Sequence, residues 1–534
     1  MEKTQVVIVG GGPVGLSAAM ELGIRGIECI VLEPRKEVSK LRPRAKTVSV
    51  RSMEHFRRWG IAEKIREAAL LPVSWSQEVS FCNSLLGQEI TRFKQVLGLS
   101  VTAQEMFAES SQQIPQFVVE ETLRELVRSL PSVKFLEGWE LESLEQDDEK
   151  VIAHVKGLES LTIEAEYLIG CDGARSIVRK EIGVVLEGNS DSATNFSVLF
   201  RSSELINKVP HEEAIQYWIV NREFPGLMGS LDLKDLWWGI AVGVEGKEGE
   251  KNPERLVHGL IGEKVPIEIV STDAWTARML LANRYRVGRV FLAGDAAHQN
   301  PPWGGHGFNT GLGDAVDIGW KLAAVLQGWG GASLLDSYEE ERRPISARVI
   351  KTAETNMKTL SSNLADGSEN SREEKHDFSK LEESILKTKR MEFHSLGLVL
   401  GYRYDKSPII IDDSSNWPPY EVVQYHPTAH PGAKLPHVWL DSGHSLYDEL
   451  GSCYTLLRLD AKQNVDSLVK VAEEKNIPLK IVTLNRPDLI NVYERSLILV
   501  RPDQHVAWRG NVLPEDVSSL INTVCGIAKR VNAL

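Results

Sequence analysis

The stretch that most limits what this chain can become is near its start. Gln5-Val-Val-Ile-Val9 runs straight into Gly10-Gly11-Gly12-Pro13-Val14-Gly15. The apolar, β-branched run reads as a buried parallel strand. Pro13 to Arg25 then carries Val14, Ala18, Ala19 and Leu22 at helical spacing, and Cys29-Ile-Val-Leu32 is a second apolar run ending in Glu33. Strand, glycine turn, helix and strand make a βαβ opening, the unit from which doubly wound parallel sheets are built. Gly10, Gly12 and Gly15 stand at GxGxxG spacing with Glu33 placed 23 positions after Gly10, so a dinucleotide site is expected. Gly10 would make the tight turn, Gly12 would admit a pyrophosphate to the main chain, and Gly15 would let helix and strand pack closely. The phosphates would rest on the helix N-terminus, where free N–H groups and the dipole favour negative charge. Glu33 would accept hydrogen bonds from the ribose. The expected binding set here is Gly10, Gly12, Pro13, Val14, Gly15, Glu33, Pro34 and Arg35. No second GxGxxG of this kind follows, which argues against a separate Rossmann domain for a nicotinamide nucleotide.

A chain of 534 residues is too long for one core and suggests about three domains. Its formal net charge of −13 argues against nucleic acid or an anionic membrane as partner, since both need clustered Lys and Arg. The first residues lack a signal-peptide pattern, and no run of about 18 apolar residues marks a membrane span. Cys29, Cys82, Cys171, Cys453 and Cys525 are scattered without CxxC or metal spacing, so no metal site is expected and a reducing cytoplasm is the expected compartment. From about Asn195 to Val244 the runs NFSVLFRSS, AIQYWIVN, GLMGSLDL and LWWGIAVGV predict an inserted layer of antiparallel strands. Residues 360–395 are polar and charged and read as a solvated helix and loop linking two domains. YTLLRLD, LKIVTLN and SLILVRPD predict the strands of a small carboxy-terminal α/β unit.

Two further motifs follow apolar runs. Asp172-Gly173 comes after Tyr167-Leu-Ile-Gly170, with Ser176 and Arg179 at a helix start. Gly294-Asp295 comes after Arg289-Val-Phe-Leu-Ala293 and opens a span, residues 293–315, that holds six glycines. Glycines at 304, 305, 307 and 311 would let a ligand come close to the main chain without Cβ clashes. A helix expected to begin at Asn309-Thr310 would aim its positive end there.

These three glycine motifs, in this order, resemble the group A flavoprotein monooxygenases, the FAD-dependent aromatic hydroxylases. RPRA at 42–45 with RSMEHFRRWGI, and Gln116 before VVEETLRELV, are similar to the same family. LGYRYDKSPII at 400–410, HPGAKLPHVWL at 430–440 and LILVRPDQHVAWRG at 497–510 resemble its phenol hydroxylase-like branch, which carries a thioredoxin-like carboxy-terminal domain. The resemblance implies an α/β fold with an α+β insertion. A Rossmann-like FAD domain would comprise 1–75, 100–183 and 284–360, and a β-rich substrate domain 76–99 and 184–283. A charged linker at 361–400 and a thioredoxin-like domain at 401–534, here without CxxC, would complete the chain.

The resemblance further implies that Arg44 lies near the pyrophosphate and that Gln116 contacts the cofactor. It links Asp172 and Gly173 to handling of FAD and NAD(P)H, and makes Asp295, with Gly294, the ribityl anchor. Pro302, Gly305, Gly307, Phe308 and Asn309 would lie beside the isoalloxazine. In this family NADPH or NADH binds transiently and reduces FAD, O2 adds at flavin C4a, and the terminal oxygen attacks an electron-rich aromatic carbon. The expected partner is a small phenolic or polycyclic aromatic molecule, and the expected state a monomer or homodimer. Epoxidation, Baeyer–Villiger insertion, or a flavin dehydrogenase or reductase would use the same fold. Two positions depart from the pattern: Lys46 stands where the phenol hydroxylase-like branch has an aspartate poised to deprotonate phenol, and His306 where glutamine is frequent. Lys46 could stabilise a phenolate, His306 could titrate near neutrality, and Tyr217 could relay a proton, with Pro302 alongside them. His298 reads as a structural histidine.

Overall fold

The computed structural model describes residues 1–366, 378–441 and 443–527. Its first sheet is built around the expected opening: β1 (Glu2–Val9), helix α1 (Pro13–Gly23) and β2 (Cys29–Glu33). Strand order runs Arg286–Val287, Val290–Leu292, Ser160–Gly170, β1, β2, Val133–Glu137. After the first, antiparallel pairing the other four are parallel, with Val6 opposite Tyr167 on one side and Cys29 on the other. Strands buried on both faces need apolar residues on both faces, and Val6, Val7 and Ile8 are fully buried. α1 packs against helix His306–Leu326 and helix Gln116–Arg128. The antiparallel arm Glu140–Gln146 and Val151–Lys156 extends strand Ser160–Gly170.

This order brings distant sequence together. The turns after β1, Ser160–Gly170 and Val290–Leu292 carry Gly10–Gly15, Asp172-Gly173 and Gly294-Asp295 respectively. All three leave the carboxyl ends of neighbouring parallel strands, the edge where open α/β sheets bind ligands.

The second sheet has eight strands and contains the predicted β-rich layer. Its strands include Leu186–Arg201, Gln216–Ile219, Gly226–Ser230, Leu236–Val242 and Glu268–Ala282. Val79–Cys82 joins it in parallel beside Gln216–Ile219, which draws the 76–99 segment into this layer. Because side chains alternate across a strand, its two faces carry different cores. Trp218, Trp238, Phe81 and Phe93 share one face with Trp303 and Phe393, whereas Tyr217, Trp237, Phe196 and Met228 share the other with Val257 and Leu260.

The charged stretch read as a solvated linker is only partly so. Part of it, residues 367–377, lies outside the described residues. Beyond it, helix Ser379–Phe393 turns its charged face outward and buries Ile385, Lys389 and Phe393 against the Trp218 face. Apolar residues recur too sparsely in this helix to stand out from its charge.

The carboxy-terminal sheet runs Leu479–Thr483, Tyr454–Arg458, Leu497–Val500, Val506–Gly510, with the first pair parallel and the others antiparallel. The fourth strand was not expected. Among the described residues no helix is long and apolar enough to cross a membrane, and the five cysteines are free. A buried ionic cluster fastens this unit to the first: Arg501 reaches Glu341 at 2.7 and 2.8 Å, Asp503 at 2.7 Å and Asp317 at 3.2 Å. Lys321 completes it, 2.6 Å from both Asp317 and Glu341.

Candidate functional site

The glycine turn divides its labour as its spacing suggests. Gly10 has φ +108°, and a Cβ there would meet the Cys171 carbonyl oxygen at 2.4 Å. A Cβ on Gly15 would stand 1.8 Å from the Gly10 oxygen, so only glycine lets α1 lie this close to β1. Gly12 differs, with no atom within 4 Å of its Cβ position. It caps α1 without a side-chain hydrogen bond, leaving open space in front of the first-turn N–H groups. Glu33 is buried; its carboxylate accepts from Gly11 N at 2.9 Å, Arg35 N at 2.9 Å and Arg35 Nε at 2.7 Å. Arg35 also reaches Glu120, while Pro34 is exposed.

Gly294 at φ +61° lies under Val14, and a Cβ on Gly311 would come within 3.0 Å of the Gly294 Cα. These contacts seat helix His306–Leu326 against the turn that holds Asp295. Asp295 is exposed to solvent. Crowding by the surrounding protein raises its pKa, opposed by His298 and Arg44. Arg44 is thereby placed on the Asp295 side, at φ +49° and exposed. Gln116 begins its helix and donates its main-chain N–H to Ala45 O at 2.8 Å, fastening the 42–45 segment beside the turn. Asp172 accepts from Ile177 N at 2.6 Å and Val178 N at 3.1 Å, capping a short helix, and its other oxygen is buried without a partner. Burial raises its pKa. Gly173, φ +77°, faces open space. Arg179 joins the two turns by donating to Ala174 O and Ala296 O.

His298 is held by the protein at one nitrogen only: its Nε2 lies 2.9 Å from Asp314, which also accepts from Gly294 N at 3.1 Å and Arg342 Nε at 2.8 Å, while its Nδ1 is buried without a partner. Arg342 and Asp314 were not singled out in sequence. Their pairing spans two helices 28 residues apart and has no local signature.

Four expectations need correction. The glycine-loop helix begins at His306 behind Gly305 at φ +68°, three residues before Asn309. The Asn309 side chain is engaged by protein: Oδ1 accepts from Ser49 N and Ser52 Oγ, and Nδ2 donates to Thr47 O and Gly305 O. Only its main chain remains for a cofactor. Tyr217 is buried on the far face of its strand, accepting from Ala214 N at 3.1 Å, with its pKa pushed up to about 12 by burial. It cannot relay a proton beside the glycine loop. His306 does not titrate near neutrality: burial pulls its pKa down to about 4. Its Nε2 lies under Gly304, and its ring lines a cavity with Arg51, His55, Leu398 and Tyr402, none of them from the β-rich sheet.

The residues that do face the glycine loop from that sheet are the aromatic neighbours of Tyr217. Trp303, in the loop and beside exposed Pro302, packs 5.8 Å from Trp218 and 6.5 Å from Trp275. The Lys46 ammonium lies 4.0 Å from the Trp238 ring centre and donates to Arg44 O at 3.0 Å. Desolvation lowers its pKa to about 8. Trp238 Nε1 and Trp303 Nε1 are buried without hydrogen-bond partners. The period-2 alternation of QYWI and LWWG was the available signal for this wall; which parity faced the loop was not.

The arrangement fits FAD on its own terms. Gly12 and Gly173 face empty space, and Gly305 has only Thr47 Cβ, at 3.9 Å, near its own Cβ position. The open main chain thus clusters at the carboxyl edge of the sheet, with the first-turn N–H groups of α1 at one end and the Asp295 carboxylate further along it.

Comparison with known proteins agrees. The FAD binding domain family matches residues 3–353, and the family described as aromatic-ring hydroxylase, C-terminal, matches residues 428–528. The chain is 30% identical to the FAD-dependent monooxygenase apdD of Emericella nidulans, over 95% of this chain and 87% of that one. It is 28% identical to the 2,4-dichlorophenol 6-monooxygenase of Cupriavidus pinatubonensis, over 97% and 94%. Among solved structures, the rebeccamycin biosynthetic enzyme RebC with reduced flavin superposes with a TM-score of 0.90 at 32% identity, covering 99% of each chain. This chain belongs to the FAD-dependent aromatic hydroxylases, which join an FAD-binding domain to an aromatic-ring hydroxylase carboxy-terminal domain.

Proposed function

We propose that this enzyme hydroxylates a phenolic or polycyclic aromatic compound held between the glycine loop and the tryptophan face of the β-rich sheet. The carrying observation is the Lys46 ammonium over Trp238, next to two buried indole N–H groups that lack acceptors. A flat apolar surface with unpaired donors suits an aromatic ring bearing an oxygen. When bound, FAD reduced by NAD(P)H would activate dioxygen, one atom of which goes to the ring and the other to water. Asp295 would hold the ribityl hydroxyls, α1 the phosphates and Glu33 the ribose, while Arg44, Gln116, Asp172 and Gly173 border the same edge. Lys46, as a cation, stabilises the phenolate, whose ring carbon is the better nucleophile. The partition proposed with this reading assigns 1–75, 100–183 and 284–360 to FAD and 76–99 and 184–283 to substrate, with 401–534 as the thioredoxin-like unit. The two large sheets and the carboxy-terminal sheet support it.

Three measurements check this reading. Phenols and polycyclic aromatics scored under labelled dioxygen should include one whose product gains a labelled oxygen; no incorporation with any of them overturns the proposal. Asp295→Ala should purify with FAD bound about 10- to 100-fold more weakly, the worth of hydrogen bonds to a charged group; full occupancy at dilute FAD would place the ribityl elsewhere. For Lys46 the sign follows from its lowered pKa. The ammonium is present below about pH 8 and lost above it, so coupling of NAD(P)H oxidation to hydroxylation should fall as pH rises through that value. Lys46→Met should be poorly coupled at every pH and show no such step.

A further inference from the structure

One buried carboxylate ties the turn that carries Asp295 to the start of the glycine-loop helix. Asp314, on helix His306–Leu326, accepts the Gly294 main-chain N–H at 3.1 Å through Oδ2 and Arg342 Nε at 2.8 Å through Oδ1. Oδ2 also lies 2.9 Å from His298 Nε2; an ionised carboxylate can only accept, so that nitrogen carries the proton. Asp314 and His298 are fully buried, and Arg342 is 2% exposed. Arg342 reaches across from helix Ala332–Asp366. Its Nη2 donates to the Thr310 main-chain oxygen at 3.0 Å, near the start of the helix that carries Asp314, and its Nη1 to the Tyr404 hydroxyl at 3.2 Å. Gly313 makes room for it, since a Cβ there would stand 2.7 Å from Nη2. Burial alone would raise the Asp314 pKa, but Arg342 and His298 bring it below the ordinary carboxylate value. It is therefore a charged acceptor, and bonds to such a group are roughly twice as strong as neutral ones.

We propose that Asp314, acting with Arg342, is a positioning residue for Asp295: it fixes how the Asp295 turn stands relative to the start of helix His306–Leu326. This rests on the reading that Asp295 holds the ribityl hydroxyls of FAD. The packing of Gly311 on Gly294 sets how closely helix and turn approach, but contact between two glycines has no preferred direction. A hydrogen bond has one, and the bond from Gly294 N–H to Asp314 sets the rotation of the turn immediately before Asp295. On the far side of Asp295, Arg179 holds the Ala296 oxygen at 2.9 Å. The exposed carboxylate thus stands between two residues that are each held by a charged side chain. Arg342 serves the same geometry twice. It keeps Asp314 ionised, because an isolated buried carboxylate would take up a proton, and through Thr310 it pins the helix end of the link.

The test compares the parent with two double variants, neither of which leaves a lone charge at this pair, all purified with FAD. Asp314→Leu/Arg342→Met removes both ends of the link. Asp314→Asn/Arg342→Met keeps an oxygen in the place of Oδ2 for the Gly294 N–H. Three quantities are read: FAD affinity by titration of the apoprotein, the visible spectrum of bound FAD, and the fraction of consumed NAD(P)H released as hydrogen peroxide. Asp314→Leu/Arg342→Met should bind FAD about tenfold more weakly, the effect of one lost hydrogen bond to a charged group. It should also shift the flavin spectrum and raise the peroxide fraction, and Asp314→Asn/Arg342→Met should bring all three back towards the parent. An Asp314→Leu/Arg342→Met protein that loses thermal stability but keeps the parent's affinity, spectrum and peroxide fraction overturns the proposal, leaving a structural ion pair only. Equal FAD affinity in the two double variants also overturns it, because the acceptor for Gly294 would then be without effect. If Asp314→Leu/Arg342→Met fails to fold, Arg342→Lys takes its place, keeping a cation beside Asp314 without the fork that reaches Thr310, and the same readings decide. Unchanged FAD binding in Asp295→Ala overturns the ribityl reading. Weakened binding in Asp295→Ala with none in Asp314→Leu/Arg342→Met overturns the positioning role alone.

Discussion

Alanine at Gly12 and alanine at Gly15 are expected to give opposite pictures of the same loss. Gly12→Ala should fold with the thermal midpoint of the parent apoprotein and yet fail to retain FAD. Its backbone, φ −78° and ψ 178°, is one that any residue adopts, and no protein atom lies within 4 Å of the new methyl. The space is reserved for whatever approaches the start of α1. Gly15→Ala places its methyl 1.8 Å from a main-chain oxygen, which cannot rotate away. Helix and strand must separate, at an overpacking cost of about 1–3 kcal/mol or more, and the first-turn N–H groups of α1 move with the helix. That variant should lose FAD and stability together. Thermal denaturation of the apoproteins, set beside FAD titration, checks both. A Gly12→Ala protein that binds FAD as tightly as the parent would mean the pyrophosphate does not rest there.

The second large effect lies where the carboxy-terminal unit meets the first sheet's helices. Arg501→Ala removes one of two cations facing the carboxylates of Asp317, Glu341 and Asp503, all buried. Burial alone would raise the Glu341 pKa, and Arg501 and Lys321 bring it well below the usual carboxylate range. With Arg501 gone, Lys321 alone faces three carboxyl groups. Breaking a buried pair from one side costs about 3–5 kcal/mol, because the remaining charge is left uncompensated. The midpoint of denaturation by urea, followed by tryptophan fluorescence, should fall sharply, since Trp320 lies 5.2 Å from the Arg501 guanidinium. An unchanged midpoint would show that the cluster does not hold the carboxy-terminal unit in place.

Both predictions use residues near motifs that can be read in the chain, but their legibility differs. The roles of Gly10, Gly12 and Gly15 follow from spacing along six residues, because a glycine turn between strand and helix is a local geometry. Arg501 directly follows a readable strand, yet its partner Glu341 is 160 residues earlier, and no periodicity announces that pairing. Helix Ser379–Phe393 misled for a related reason. Its charge advertises the solvent face, and of the few residues it buries, Lys389 and Glu392 are themselves charged.

The sequence by itself determined the parallel βαβ opening, the three glycine motifs, the inserted strands and the carboxy-terminal α/β unit. Each is written in short-range pattern, such as runs of apolar residues, a period of two, or glycine at fixed offsets. Only the tertiary structure decided which face of each element meets the cleft. Alternation puts Tyr217 and Trp218 on opposite faces without saying which one looks at the glycine loop. Likewise the helix at His306 can be foreseen near its place, but whether His306 points to the sheet or away depends on what packs behind it. Orientation is set by contacts between segments distant in the chain, and those contacts here turned Trp218, Trp238 and Lys46 toward the loop while turning Tyr217 and His306 away.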